Sequence, residues 1–188
     1  MFHGQQLDFI SSPQGWEYVV RRTRSQGVVV IAVTDEKRLL LVEQLRPPLS
    51  ARTIELPAGV IDSNETPRGA AMRELEEETG YRASSVRAVF RGSTSPGITD
   101  DQNTICIATH LRRTDDSGQD RRFKDGTRKH RYLRGAEGES ENLVVWEVPL
   151  QLVPHWLNRR RIKGNVIDLR IYAGLHFLEQ LIRAKNAE

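Results

Sequence analysis

Two runs of consecutive apolar residues, 28–33 and 39–42, dominate the first third of the chain. The polar, turn-forming residues 34–37 lie between them, so the pattern predicts two strands, over 28–33 and 38–44, joined as a hairpin. Successive side chains of a strand point to opposite faces, and apolar residues at every position therefore indicate strands covered on both faces. This predicts a mixed β-sheet enclosed between helices.

A helix over 67–79 is marked at both ends. Thr66 and Pro67 form a typical N-cap and first helical residue, and Gly80 is a typical helix stop. At 100° per residue, four side chains predicted to pack inward share one face: Ala71, Met72, Leu75 and Thr79. Three carboxylates share another arc: Glu74, Glu77 and Glu78.

Weaker patterns predict the remaining elements. Strands are expected near 86–92, 103–111 and 143–148, and a last helix over 168–184. The residues of this helix that are predicted to face inward are Ile171, Leu175, Leu178, Leu181 and Ile182. With 188 residues, 38% hydrophobic and 28% charged, the composition is that of one globular domain and excludes low-complexity chains.

The single cysteine and the N-terminal residues bear on the expected cellular location of the protein. Cys106 cannot form an intrachain disulfide, and its alternating neighbours indicate a buried structural thiol in a strand. The first residues lack a basic stretch followed by an apolar one, and no apolar run is long enough to cross a bilayer. We therefore expect a cytoplasmic protein with no membrane partner.

The formal charge of +3 is concentrated in one segment. Residues 112–134 hold nine basic and four acidic side chains, which leaves the rest of the chain slightly acidic. Because the stretch 112–138 is polar and contains glycine, it is expected to be a surface loop or partly disordered. It is either a lid that steers an anionic substrate or an insertion without catalytic consequence.

Three glutamates on one helix face repel one another, so a compensating charge is expected. They form either a solvated acidic face or a site for Mg²⁺ or Mn²⁺. The spacing favours the second interpretation: from residue 59 to residue 81 the chain has GVIDSNETPRGAAMRELEEETGY. This resembles the Nudix box at each defined position, with Tyr81 where an aliphatic residue is commoner. Seven fixed identities coincide by chance on the order of 10⁻⁸ per start position.

The resemblance to the Nudix hydrolases implies a fold and a chemistry. The implied fold is an α/β sandwich of α+β type with a mixed sheet, preceded by a short N-terminal β region over 1–25, with the Nudix domain over 26–188 and the basic insertion at about 112–136. Mg²⁺, or Mn²⁺ in its place, would be held by Glu74, Glu77 and Glu78, with the carbonyl of Ala58 or Gly59 as a further ligand. The residues that would scaffold the box are Gly59, Glu65, Arg73 and Gly80, with Arg73 paired to Glu65.

Sequence outside the box resembles the ADP-ribose and ADP-sugar pyrophosphatase branch. The stretches 15–22, 42–48, 54–62 and 95–100 carry this likeness, and Pro96 stands at the position where the branch has proline. It implies that Trp16 stacks on adenine and that Arg46 meets the diphosphate or the terminal ribose. For Trp16 the alternative is a surface groove or dimer contact, and for Arg46 it is an ordinary salt bridge. Glu55 is equally a ligand contact or a structural residue.

Hydrolysis also needs a base for the attacking water, and in this branch a glutamate of a late loop supplies it. Alignment of loop 135–142 leaves Glu139 and Glu141 as alternatives. The favoured function is Mg²⁺-dependent hydrolysis of ADP-ribose or an ADP-sugar to AMP and a sugar phosphate. The alternatives are another nucleotide-linked substrate, such as GDP-mannose, NADH or a dinucleoside polyphosphate, and a non-catalytic binding module that uses the basic segment. Nucleic acid is not the expected partner, and a homodimer with crossing N-terminal strands is implied by resemblance.

Overall fold

The computed structural model of the chain describes residues 2–22, 26–114, 121–131 and 143–185. Within these ranges the strands and helices, in chain order, are β1 (Phe2–His3), β2 (Leu7–Ser11), β3 (Glu17–Arg21), β4 (Gly27–Ala32), β5 (Arg38–Arg46), β6 (Ala51–Glu55), β7 (Ala58–Val60), α1 (Pro67–Thr79), β8 (Tyr81–Ser93), β9 (Gln102–Arg113), β10 (Arg121–Arg122), β11 (Arg128–Arg131), β12 (Val144–Pro149), α2 (Val153–Ile162), β13 (Val166–Ile167) and α3 (Arg170–Lys185).

The described strands form a small N-terminal sheet and two larger mixed sheets. The N-terminal sheet has the order β1-β2-β3, and the larger ones have the orders β10-β11-β12-β5-β6-β13 and β7-β4-β9-β8. Parallel pairing joins β4 to β9 and β13 to β6, while the other pairs are antiparallel. The predicted mixed β-architecture with helices is therefore confirmed.

Strand β4 is apolar at every position because both of its faces are buried. Val29 and Ile31 pack in the core that contains the six-stranded sheet, α2 and α3. Val28 and Val30 pack in a second core against α1. Both faces of β4 are thus removed from water, which is the condition under which a strand loses its polar alternation.

The predicted hairpin of β4 and β5 is wrong. The tight turn is present, because the backbone N–H of Lys37 donates to the Thr34 carbonyl over 2.9 Å. Only the isolated bridge between Val33 and Leu39 follows it. Beyond that bridge β4 pairs with β7 and β9, whereas β5 pairs with β6 and β12. A strand buried on both faces can take many neighbours, so the apolar run predicts the strand but not its partner.

Helix α1 has the predicted bounds because both of its ends are closed locally. The hydroxyl of Thr66 accepts the backbone N–H of Gly69 over 3.1 Å, which satisfies one of the free donors at the start. Gly80 adopts φ 72° and its N–H donates to the carbonyl of Glu76. This left-handed backbone conformation costs a glycine little free energy, and it ends the helix.

Two of the residues predicted to face inward are exposed. Met72 of α1 is 38% exposed. Ala70, which borders the opposite side of the predicted apolar face, is fully buried instead. Ile182 in the last turns of α3 is 44% exposed, whereas Ile171 and Leu178 are buried as expected. Both errors fall at the edge of a stripe, where helical periodicity alone does not fix what the neighbouring sheet covers.

The loop predicted over 112–138 is wrong for the part that the structure describes. Strand β9 continues to Arg113, and residues 121–131 form the hairpin β10–β11, which extends the six-stranded sheet beside β12. Arg128 of this hairpin forms an ion pair with Glu36 at 2.7 Å and one with buried Glu147 at 3.4 Å. Within the described residues of the basic segment, 112–113, 121–122 and 128–131 are therefore strand rather than loop.

Cys106 is fully buried in the core beside α1, and this burial raises the pKa of its thiol to about 11. The predicted structural role is confirmed, because a protonated, enclosed thiol is chemically inert. Among the described helices, none has the length and apolar character that crossing a bilayer requires.

Candidate active site

A cavity of about 700 Å³ opens where the two larger sheets, α1 and the start of α3 meet. Its wall contains carboxylates and guanidinium groups from distant parts of the chain. The charged residues of interest are Arg21, Arg46, Glu55, Glu74, Glu78 and Arg170. A cleft of this size with convergent polar groups is the usual form of a small-molecule site.

The acidic face of α1 supplies one side of the site. The Nη1 atom of Arg73 donates to Glu74 over 2.8 Å and to Glu77 over 3.0 Å. One Glu78 oxygen accepts the backbone N–H of Ala58 over 3.0 Å, which holds α1 against β7. Of the predicted metal-ligand residues, Ala58, Gly59, Glu74 and Glu78 line the cavity, whereas Glu77 does not.

The protonation of these acids is perturbed. Burial, with added repulsion from Glu74 and Glu55, raises the pKa of Glu78 to about 8. Burial also raises the pKa of Glu74, and the neighbouring Arg73 only partly offsets it. Neighbouring carboxylates whose charged forms are disfavoured are stabilised by a cation between them.

Arg73 and Gly59 hold this face in place. Arg73 donates to Glu65 over 2.9 Å and to the Val60 carbonyl over 2.8 Å, so the pairing that the resemblance implies is present. The bond that Arg73 donates to Glu65 raises the pKa of Arg73, so its guanidinium stays charged. At Gly59 a side chain would overlap the carboxylate of Glu74, and only glycine leaves that space free.

The donor set fits a divalent cation by its chemistry. Carboxylate oxygens and a backbone carbonyl are the hard ligands that Mg²⁺ takes. Among the residues that the structure describes, no three acidic, His or Cys side chains already converge on one point. The carboxylates of Glu74 and Glu77 bond instead to Arg73, whose single positive charge offsets only part of theirs.

A second charged cluster lies on Glu55, which is 3% exposed. Arg46 donates to both of its oxygens, over 2.7 and 2.8 Å, and the Thr53 hydroxyl also donates to it. Burial alone would raise the pKa of Glu55, but the bonds from Arg46 and Thr53 outweigh it and the pKa is lowered. Glu55 is thus an ionised anchor, and Arg46 is both salt-bridged and part of the cavity wall.

Several predicted residues lie away from the cavity or outside the described ranges. Trp16 is 64% exposed at the turn between β2 and β3, and Pro96 is exposed in a turn before β9; neither lines the cavity. Nevertheless the two turns belong to linked segments, since Val19 donates its backbone N–H to the Ile98 carbonyl over 2.8 Å. Glu139 and Glu141 lie outside the described residues.

The sequence did not single out several cavity residues. Arg21 of β3 reaches the cavity and pairs with Asp101 at 3.0 Å. Asp168 and Arg170 line it at the start of α3. The only local signal was Asp168 as a helix start, and nothing in the linear pattern indicates that Arg170 contacts Glu55.

The NUDIX domain family matches residues 23–156 of the chain, which includes the whole of α1 and the glycine loop before it. The chain belongs to the NUDIX family. In the NUDIX box of this chain, residues 59–81 form the end of strand β7, a connecting loop and helix α1, and the left-handed Gly80 ends the helix.

Relatives of this NUDIX chain have different names. It is 39% identical over 107 residues to a methanol dehydrogenase activator of Bacillus methanolicus, covering 56% of this chain and 58% of that protein. It is 43% identical over 85 residues to an ADP-ribose pyrophosphatase of Bacillus subtilis, covering 45% of this chain and 46% of that protein. The matches thus span about half the length of these two curated relatives.

A solved structure, described as that of an ADP compounds hydrolase, shares the fold. It superposes with a TM-score of 0.65 at 20% identity, covering 94% of this chain and 84% of its own. At this identity the likeness establishes the architecture of the NUDIX fold and nothing more specific.

Proposed function

We propose that the protein hydrolyses the pyrophosphate bond of ADP-ribose or a related ADP-sugar, giving AMP and a sugar phosphate. The observation that carries this proposal is one cavity in which the box carboxylates face carboxylate-anchored arginines. Cation-binding acids opposite guanidinium groups suit a diphosphate that links two organic groups. The similarity to an ADP-ribose pyrophosphatase supports the adenine nucleotide as substrate.

The proposed metal is Mg²⁺, with Mn²⁺ as the alternative. Glu74, Glu77 and Glu78 would hold it, together with the carbonyl of Ala58 or Gly59. Bound there, the metal would neutralise diphosphate charge and favour attack by water. For the metal to bind, Glu74 and Glu77 would have to give up their bonds to Arg73. The bond from Arg73 to Glu65 would then keep the guanidinium beside the site.

The chain's own residues would carry out the other steps. Arg46, fixed by its two bonds to Glu55, would hold the diphosphate against the acidic face. Glu139 or Glu141 would accept the proton of the attacking water. Glu139→Gln and Glu141→Gln distinguish them: the base is the residue whose loss lowers kcat by about 10²- to 10⁴-fold, while the other variant keeps activity.

Trp16 would stack on the adenine, within a homodimer. Its indole is exposed and lies outside the cavity of its own chain, so the proposed acceptor is the partner subunit's cavity. In this organisation residues 1–25 form the crossing strand region and 26–188 the NUDIX domain. The cytoplasmic location stays a prediction from the sequence.

Mixing two variants tests the dimer. If Trp16 acts across the interface, a heterodimer of Trp16→Ala and Glu77→Gln subunits contains one intact site, and activity at low substrate exceeds that of either parent. If Trp16 acts within its own chain, both sites are damaged and no activity is gained. A monomer in light scattering would contradict the homodimer directly.

The reaction is tested by separating the products formed from ADP-ribose, ADP-glucose, GDP-mannose, NADH and diadenosine polyphosphates with Mg²⁺. We expect preferential release of AMP and ribose 5-phosphate from ADP-ribose. Glu77→Gln should abolish turnover, while the matched variant Glu76→Gln should not, because Glu76 accepts from Arg82 and Glu77 accepts from Arg73 on the acidic face of the box. Preference for another compound would refute the substrate, and equal rates for Glu77→Gln and the wild type would refute the metal assignment.

A further inference from the structure

Arg170 is fixed at the first position of α3 by the residue that caps this helix. Asp168 accepts the backbone N–H of Arg170 over 2.8 Å with one oxygen and its Nε over 2.7 Å with the other. The same residue therefore starts the helix and orients the guanidinium plane. A side chain held at two points loses little further freedom when it binds a ligand.

The guanidinium of Arg170 also reaches the Glu55 cluster. Its Nη2 atom lies 3.5 Å from a Glu55 oxygen, and the other Glu55 oxygen is closest to Arg46 Nε. One buried carboxylate thus places two arginines side by side on the cavity wall. The charges of Glu55 and Arg46 act on Glu78, so Arg46 lies within electrostatic reach of this box acid.

One nitrogen of the Arg170 guanidinium is left for a ligand. Its Nε and Nη2 atoms contact Asp168 and Glu55, whereas its Nη1 atom donates to none of the residues that the structure describes. The side chain is 25% exposed, and it lines the cavity. A permanently charged N–H donor in this position suits an oxygen of a phosphate.

We propose that Arg170 is a second substrate-binding arginine, which contacts the diphosphate of the substrate beside Arg46. This inference rests on the proposed function, because it takes the nucleotide diphosphate as the occupant of the cavity. It assigns to the start of α3 a part in recognition that the box and its flanking stretches do not contain.

Binding without metal tests the contact apart from turnover. ADP-ribose and adenosine are titrated calorimetrically into wild type, Arg170→Ala and Arg170→Lys in the presence of EDTA. We expect Arg170→Ala to weaken ADP-ribose binding by about 10- to 100-fold and to leave adenosine binding unchanged, because only the diphosphate is contacted. Arg170→Lys should lose less, since it keeps the charge without the fork. The matched control is Arg183→Ala on the same helix, whose partner is the exposed Glu179.

Two further readouts separate binding from a structural role. Guanidinium ion should partly restore kcat/KM in Arg170→Ala, which a lost helix cap would not allow. In the wild type, ADP-ribose should protect Arg170 but not Arg183 from modification by phenylglyoxal, as mapped by mass spectrometry. This measurement remains decisive if a variant does not fold.

Unchanged ADP-ribose affinity in Arg170→Ala, equal weakening for adenosine, or no protection of Arg170 would overturn the inference. If the wild type hydrolyses ADP-ribose and Arg170→Ala binds it equally well, only this inference fails. If the wild type binds ADP-ribose through Arg170 but hydrolyses no ADP compound, the proposed function fails and the contact stands.

Discussion

Replacing Gly59 with alanine is predicted to separate catalysis from stability. An added Cβ would lie under 3.0 Å from the carboxyl carbon and both oxygens of Glu74, where ordinary contact begins at 3.4 Å. These atoms are the end of a flexible side chain, so rotation of Glu74 relieves the overlap and the backbone can stay in place. The added methyl group would nevertheless take space that the Glu74 carboxylate now fills, and this restricts where the carboxylate can go when it leaves Arg73 to hold the metal.

The expected magnitudes differ for the two properties. Displacing a positioned catalytic group by about 1 Å costs about 100-fold in rate. Stability changes less, because removing a glycine from the unfolded chain contributes about 0.4–1 kcal/mol and losing the partly exposed Arg73–Glu74 bond costs about as much. We therefore expect kcat to fall by about 100-fold while the free energy of unfolding stays within about 1 kcal/mol of the wild type.

The assay compares three glycine-to-alanine variants by kcat on ADP-ribose and by urea unfolding. Gly97 has open space around it, so Gly97→Ala should change neither property. Gly174 of α3 faces the side chains of Ile31 and Leu56 in the core, and Gly174→Ala should cost about 1–3 kcal/mol through overpacking. Full activity of Gly59→Ala, or a loss of stability equal to that of Gly174→Ala, would refute the reasoning.

Three further predictions concern the charged clusters and the exposed tryptophan. The pKa of Glu55 is lowered in the folded protein, so the stability that its ionised form contributes is present above the unfolded pKa and is lost as pH falls through the folded pKa. In Glu55→Gln the free energy of unfolding should therefore fall less steeply at acid pH than in the wild type. An equally steep fall would contradict this. The Cζ atom of Arg160 lies 3.8 Å from the ring centroid of Trp146 and 4.7 Å from that of Trp156. Arg160→Ala should therefore lower the free energy of unfolding in urea by about 1–2 kcal/mol and leave kcat unchanged. A variant as stable as the wild type would show that the stacking contributes nothing. Trp16→Ala should raise KM for ADP-ribose by a factor equivalent to about 1–3 kcal/mol of lost stacking, with little change in kcat. An unaltered KM would show that Trp16 does not contact the adenine.

Features that close within a few residues were predictable from the sequence. Helix α1 has the predicted bounds because Thr66 caps a donor three residues away and Gly80 accepts the left-handed conformation that ends the helix. The acidic face is fixed by helical geometry in the same way. Family membership was predictable too, because the box is one continuous stretch whose spacing is itself the signal.

Features that depend on distant segments were not predictable. An apolar strand such as β4 buries equally well beside several neighbours, so its pairing with β7 and β9 was decided by the whole sheet. Residues 121–131 carry the charge typical of a loop, yet an open edge at β12 and an ion pair with buried Glu147 make them a hairpin.

The candidate site shows the same division. The fold class, the box helix and the carboxylates on its face follow from the amino-acid sequence alone. Only the tertiary structure placed Arg46 and Arg170 on the same buried Glu55, because residues 46, 55 and 170 approach one another only after β5, β6 and α3 have packed. Local hydrogen bonds and helical periodicity are encoded in neighbouring residues, whereas the cavity is a product of long-range packing, which no local pattern specifies.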